Sequence, residues 1–109
     1  MKSDDLHIRQ ILDAVSKIES FVAGLDRNAF NADLKTQSAV ILQLMLIGEV
    51  SKKISAGTKM RIEPPWKDIA GFRDAAVHDY FNLNLEVIWS TVQTDIPYLK
   101  RELLKATSA

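Results

Sequence analysis

Ala39-Val40-Ile41-Leu42-Gln43-Leu44-Met45-Leu46-Ile47-Gly48 is the longest apolar run of the chain. Wound at about 3.6 residues per turn, the run is apolar on nearly every side, with Gln43 as its one polar interruption. At about ten residues it falls well short of the ~20 needed to span a bilayer. Its apolar circumference therefore calls for protein on more than one side, either in the middle of a helical bundle or at a subunit interface. The helix that holds it is expected over residues 33–55.

Upstream of this run, Ile8, Ile11, Leu12, Val15, Ile18 and Val22 recur at spacings of three and four, which predicts an amphipathic helix. Asp4 or Asp5 would cap it and Gly24 would stop it. A connection over 26–31 follows, with Leu25 and Phe30 as anchors. Residues 57–65 read as a loop, in which Pro64-Pro65 prepares the first turn of a helix from 66 to 78 or 80. Asn82-Leu83-Asn84 breaks that helix, and Asn84 is placed to cap a last one over 85–105. There Leu85, Ile88, Trp89, Val92, Ile96, Leu99 and Leu103 form the apolar stripe, and Pro97 should kink it. With no strand pattern and no repeat, the expectation is a single all-α domain over 1–109, an antiparallel four-helix bundle.

Composition narrows the function. A net charge of zero excludes a polycation built to coat nucleic acid. Local charge is uneven: Lys52, Lys53, Lys59, Arg61, Lys67 and Arg73 face only Glu63 and Asp68 over residues 52–73, whereas the first 33 residues hold four bases and six acids. With no cysteine, the chain has no thiolate chemistry and suits a reducing cytoplasm. No signal-peptide pattern opens it, and a soluble protein with no membrane partner is expected.

Chemistry concentrates in Arg73-Asp74-Ala75-Ala76-Val77-His78-Asp79-Tyr80. Asp74 and His78 lie one turn apart, so the carboxylate could orient the imidazole. Arg73 and Tyr80, seven apart, share a face. Arg73 and His78, five apart, diverge by about 140° and converge only if the helix ends near His78 or a second subunit faces it. An arginine fork for phosphate and a histidine titrating near neutrality are parts for cleaving RNA through its own 2′-hydroxyl. Taken by residue type alone, the same side chains are more often an inert solvated face. Glu49, at the end of the apolar run, is either partnered by a base such as Arg73 or set at the helix's exposed edge. His7 reads as a surface residue, and Trp66 and Trp89 as core anchors. Only two histidines exist, far apart, so no metal site is expected.

The spacing R-x(4)-H-x-Y, here Arg73, His78 and Tyr80, resembles the signature of HepT-like toxins of the HEPN ribonuclease superfamily. Trp66, Ile69, Gly71, Asp74, Phe81, the Ile47-Gly48-Glu49 segment and the late Pro97 are similar to that family as well. The resemblance implies a HEPN-like homodimer acting on RNA as a metal-independent endoribonuclease without a cofactor, with Arg73 and His78 catalytic and Asp74, Tyr80 and Glu49 supporting. It also implies a toxin held off by an MntA-type minimal nucleotidyltransferase antitoxin, which would place AMP on Tyr80. The competing expectation is a non-catalytic helical module that docks such a nucleotidyltransferase.

Overall fold

The computed structural model describes residues 2–62 and 66–108, so Pro64-Pro65 lies outside the described residues. Helices α1 (Lys2–Val22), α3 (Leu34–Ser51) and α5 (Trp66–His78) are three arms of the bundle, and short helices α2 (Arg27–Asn31) and α4 (Ala56–Arg61) occupy the connections between them. The fourth arm is α6 (Leu85–Ser90) and α7 (Ile96–Ser108), joined through a π-helical stretch at Thr91–Asp95. Among the described residues there is no strand, and the all-α expectation holds. No helix among them is long and apolar enough to cross a membrane.

The run at 39–48 does lie at the centre. Val40, Ile41, Leu44 and Ile47 turn inward to meet Ile11, Val15 and Ile18 of α1 and Ile88, Leu99 and Leu103 of the last arm. Burial of such side chains contributes about 1.5–3 kcal/mol each, which is why α3 takes the middle position. Leu42 and Leu46 instead remain 52% and 43% exposed, so the bundle covers only part of the run.

Several boundaries differ from expectation for physical reasons. Helix α3 starts where expected, because the Asp33 carboxylate accepts from the Thr36 amide at 3.0 Å. It ends at Ser51, before Ser55, because Ser55 caps α4, its hydroxyl accepting from the Thr58 amide at 3.3 Å. The expected loop over 57–65 thus holds a helix. The connection at 26–31 is also helical, capped by Asp26, with Phe30 fully buried against Trp89. Gln37 closes the end of α2 by donating to the carbonyls of Phe30 and Asn31 at 2.9 and 3.1 Å. Gly24 stops α1 with φ of 79°, a conformation that favours glycine. Pro97 has no amide proton and its ring crowds the Gln93 carbonyl, so the disturbance expected there takes the form of the π-helical stretch just before it.

Asp4 does not cap α1, which begins at Lys2. Buried, it accepts from the Ser55 amide at 3.0 Å and from the hydroxyls of Ser55 and Thr58, both at 2.6 Å, fastening the start of α1 to α4. These bonds, the Ser55 hydroxyl first, hold its carboxyl at about 2, below the ordinary 3.8. A carboxylate depressed on folding stabilises fully above its unfolded pKa and loses that contribution as pH falls through the folded one. Urea midpoints should therefore drop between about pH 4 and pH 2 in the unaltered chain. Asp4→Asn should be less stable at neutral pH and lack that share of the drop.

Helices α3 and α5 meet at Gly48. A Cβ there would overlap the Cβ of Arg73 and stand 3.1 Å from the Ile69 carbonyl oxygen. Gly48→Ala gains about 1 kcal/mol of helix propensity but forces the helices apart, an overpacking that costs about 1–3 kcal/mol. The variant should be less stable in urea and should shift α5. Gly71→Ala, in α5 but with open space around it, should match or exceed the unaltered chain.

Candidate active site

Helix α5 is seated by its apolar side. Ala76 is buried, Ile69 and Phe72 pack on the core, and the Trp66 indole donates to the Ile62 carbonyl at 3.2 Å while Lys59 lies over its ring. The absence of a side chain at Gly48 lets the stem of Arg73 lie against α3. Its guanidinium then emerges beside Glu49, one residue further along α3.

Arg73 is engaged on both terminal nitrogens: Nη2 contacts Glu49 Oε2 at 2.9 Å and Nη1 contacts Asp74 Oδ1 at 3.2 Å. Of the alternatives for Glu49, the structure takes the partnered one. Lys52 adds a second cation, 3.7 Å from Asp74. The Arg73 hydrogen bond first, with the charges of Lys52, Arg73 and His78 behind it, holds the Asp74 carboxyl below the usual carboxylate range. Asp74 therefore serves the cations beside it and does not hydrogen-bond His78 as its spacing had suggested. The sequence counted Lys52 in its basic stretch without assigning it to the site, although its position three residues after Glu49 places it on the same face of a helix.

The helix ends at His78, and the local reason is visible. Asp79 leaves helical geometry with φ of −152° and ψ of 51°, though its amide still reaches the Ala75 carbonyl at 2.8 Å. A 3₁₀ turn at Tyr80–Asn82 follows, braced by the Asn82 side-chain amide donating to the Asp79 carboxylate at 2.9 Å. The helix end that Arg73 and His78 required is thus present. Tyr80, by contrast, does not share a helical face with Arg73, because it lies beyond that end.

His78 is exposed on the last residue of α5. The Tyr80 ring is 40% exposed and meets Phe81 edge to face at 5.7 Å, and Phe81 itself is 97% exposed. Leu46, one turn before Glu49, and Val77, one turn after Arg73, are both half exposed. In the sequence Phe81 entered only as part of the family resemblance, with no role assigned to it. His7, expected at the surface, is half-buried, and its Nδ1 is shielded with no partner among the described residues. Trp89 anchors the core and Trp66 its edge.

The arrangement combines a planar cation for phosphate, an exposed imidazole at a helix end and a phenol next to it. Among the described residues, no group of three histidines or carboxylates stands close enough to hold a metal ion.

The family model described as "Ribonuclease HepT-like" matches residues 11–106. A protein of Thermococcus cleftensis named "Probable ribonuclease HepT" is 41% identical over 91% of this chain and 91% of its own length. A "Putative RNase" of Caldanaerobacter subterraneus is 31% identical over 94% of this chain and 93% of that one, and another of Methanocaldococcus jannaschii is 31% identical over 85% and 86%. No solved structure matches. A family match over almost the whole length, joined to a relative 41% identical over 91% of both chains, leads to one conclusion: the chain belongs to the HepT-like ribonuclease family.

Proposed function

We propose that the chain is an RNA-cleaving toxin, a metal-independent endoribonuclease whose site is completed when two copies meet over the face that carries Arg73 and His78. Exposed His78 at the end of α5, five residues after an arginine held at the surface in a member of a ribonuclease family, carries the reading. Support for a homodimer comes from exposed apolar side chains on α3, on α5 and just after it: Leu42, Leu46, Val77 and Phe81 are 43–97% exposed. Patches of this kind mark protein contacts.

In the reaction, Arg73 binds a phosphodiester and stabilises the charge that grows on its oxygens. One His78 takes the proton of the 2′-hydroxyl as that oxygen attacks phosphorus. The bond from phosphorus to the 5′-oxygen breaks, and His78 of the second copy returns a proton to it, leaving a cyclic phosphate and a free 5′-hydroxyl. Glu49 and Asp74 hold the guanidinium in place until phosphate displaces them.

Tyr80 is the control point. Its hydroxyl has no hydrogen-bond partner among the described residues and its ring is partly exposed, so a modifying enzyme can reach it. In this reading an MntA-type nucleotidyltransferase antitoxin places AMP there, and the added phosphate repels RNA. The site acts in the cytoplasm, where both RNA and nucleotide are at hand.

A second reading has its own observation. Both terminal nitrogens of Arg73 are occupied by carboxylates, as they would be if the arginine only joined helices in a non-catalytic module that docks a nucleotidyltransferase. Expression without a partner separates the two. The toxin should arrest growth and cut RNA, and His78→Ala should lose roughly 10²–10⁴ in rate while staying folded. Arg73→Lys should lose about 10² or more, because a point charge does not replace the fork. Harmless expression with no RNA cleavage by the unmodified chain would leave the docking module. Co-expression with the antitoxin should raise the intact mass by one or more AMP units in the unaltered chain and not in Tyr80→Phe.

A further inference from the structure

On the side of α5 away from Arg73, an open groove of about 690 Å³ runs between α5 and the front of the last arm. Asp68 and Ala75, seven residues apart, face it. Val77, about 180° around from Asp68, looks the other way. Leu44, Ile47, Phe72, Ile96 and Leu99 give the groove an apolar lining. A space of this size takes several side chains of a ligand rather than a single ion.

Its rim is acidic. Asp68, Glu86 and Asp95 border it, with Lys67 as the one lysine or arginine among the described lining residues. Glu86 is paired with Arg27 at 3.6 Å, while Asp68 and Asp95 have no ion-pair partner among the described residues. Burial, and then the charge of Asp68, pushes the Asp95 carboxyl up, as expected for two carboxylates that lack a cation between them. The π-helical stretch contributes Thr91 and Asp95 to the groove, and such stretches are commonly found at functional sites. Negative charge on an apolar cleft repels RNA and favours a cation on an apolar scaffold.

We propose that this groove docks a partner polypeptide through an amphipathic segment in which an aliphatic or aromatic anchor lies one helical turn from an arginine or lysine. The anchor fills the apolar lining and the cation bridges Asp68 and Asp95. Docking there seats the partner beside Asn82, Leu83 and Asn84, the segment that continues the Tyr80 turn. The chain holds one segment of related composition, Lys59-Met60-Arg61, with Met60 84% exposed. Both of its cations are already engaged, Lys59 over Trp66 and Arg61 at Thr58, which makes a second copy the weaker occupant.

The test is an NMR titration of the whole, isotope-labelled chain with two acetylated amphipathic peptides. Both carry leucine and phenylalanine one turn apart, flanked in one by arginine and in the other by glutamate. The arginine peptide should give saturable shifts at Gly71, Ala75, Leu83 and Thr91, and the glutamate peptide none. Asp95→Asn should weaken binding by about tenfold or more. Val87→Arg should do the same, and because Val87 is 53% exposed on the groove it changes no core contact. His78→Ala should bind as the unaltered chain does, so failure of the nuclease reading and failure of this one are read separately. Equal binding of the two peptides, shifts elsewhere, or undiminished binding by Val87→Arg would overturn the proposal. So would groove shifts that grow with protein concentration alone and vanish in Met60→Glu, which would assign the groove to a second copy.

Discussion

The approach of α5 to α3 at Gly48 governs the rest of the molecule. With hydrogen in place of a side chain, α3 presents bare backbone, and α5 comes near enough for the Arg73 stem and the Ile69 carbonyl to rest on it. A larger residue would tilt or lift α5, and every group it carries would move together. Because the constraint is one of contact between two rigid helices, it fixes position without requiring a strong bond.

Electrostatics then act on a geometry already set. Glu49, Arg73, Asp74 and Lys52 alternate in sign and sum to zero, so the seam holds its arginine extended without building up charge. Each link is at least partly exposed, and pairs of that kind are worth about 0–1 kcal/mol. That is enough to orient a guanidinium and less than a bidentate arginine–phosphate contact supplies. In the proposed nuclease, pairs this weak let the arginine change partners.

Much of this was legible in the sequence because it depends on periodicity and spacing. The apolar run at 39–48, the stripe of α1, the Asn84 cap and the need for a helix end near His78 all follow from which residues recur at three and four. The short helices α2 and α4 were not legible: each is about one turn long, and its cap, Asp26 or Ser55, looks like ordinary loop polarity. Asp4 was misread for a related reason. A carboxylate near a helix start suggests a local cap, whereas its true partners, Ser55 and Thr58, are more than fifty residues away. Likewise Asp74 is in register with His78 along the helix, but Lys52 and the Arg73 fork are the nearer cations, and only the packing of α5 on α3 brings Lys52 there. The groove is invisible to pattern reading, since its walls come from α3, α5, the segment after α5 and the last arm.

The π-helical stretch at Thr91–Asp95 has a mechanical meaning. Each turn of this kind takes up one residue more than an α-turn, so the two halves of the last arm do not share one continuous ladder of hydrogen bonds. The rear half is tied to α1 through Lys100 and Glu19 at 3.1 Å and through the buried Leu99 and Leu103. The front half borders the groove beside α5 and the turn after it, which Ile96 and Leu99 of the rear half also line. The π-helical joint therefore sits between the half that brings Lys100 and Leu103 to the bundle and the half that brings Glu86 and Val87 to the groove.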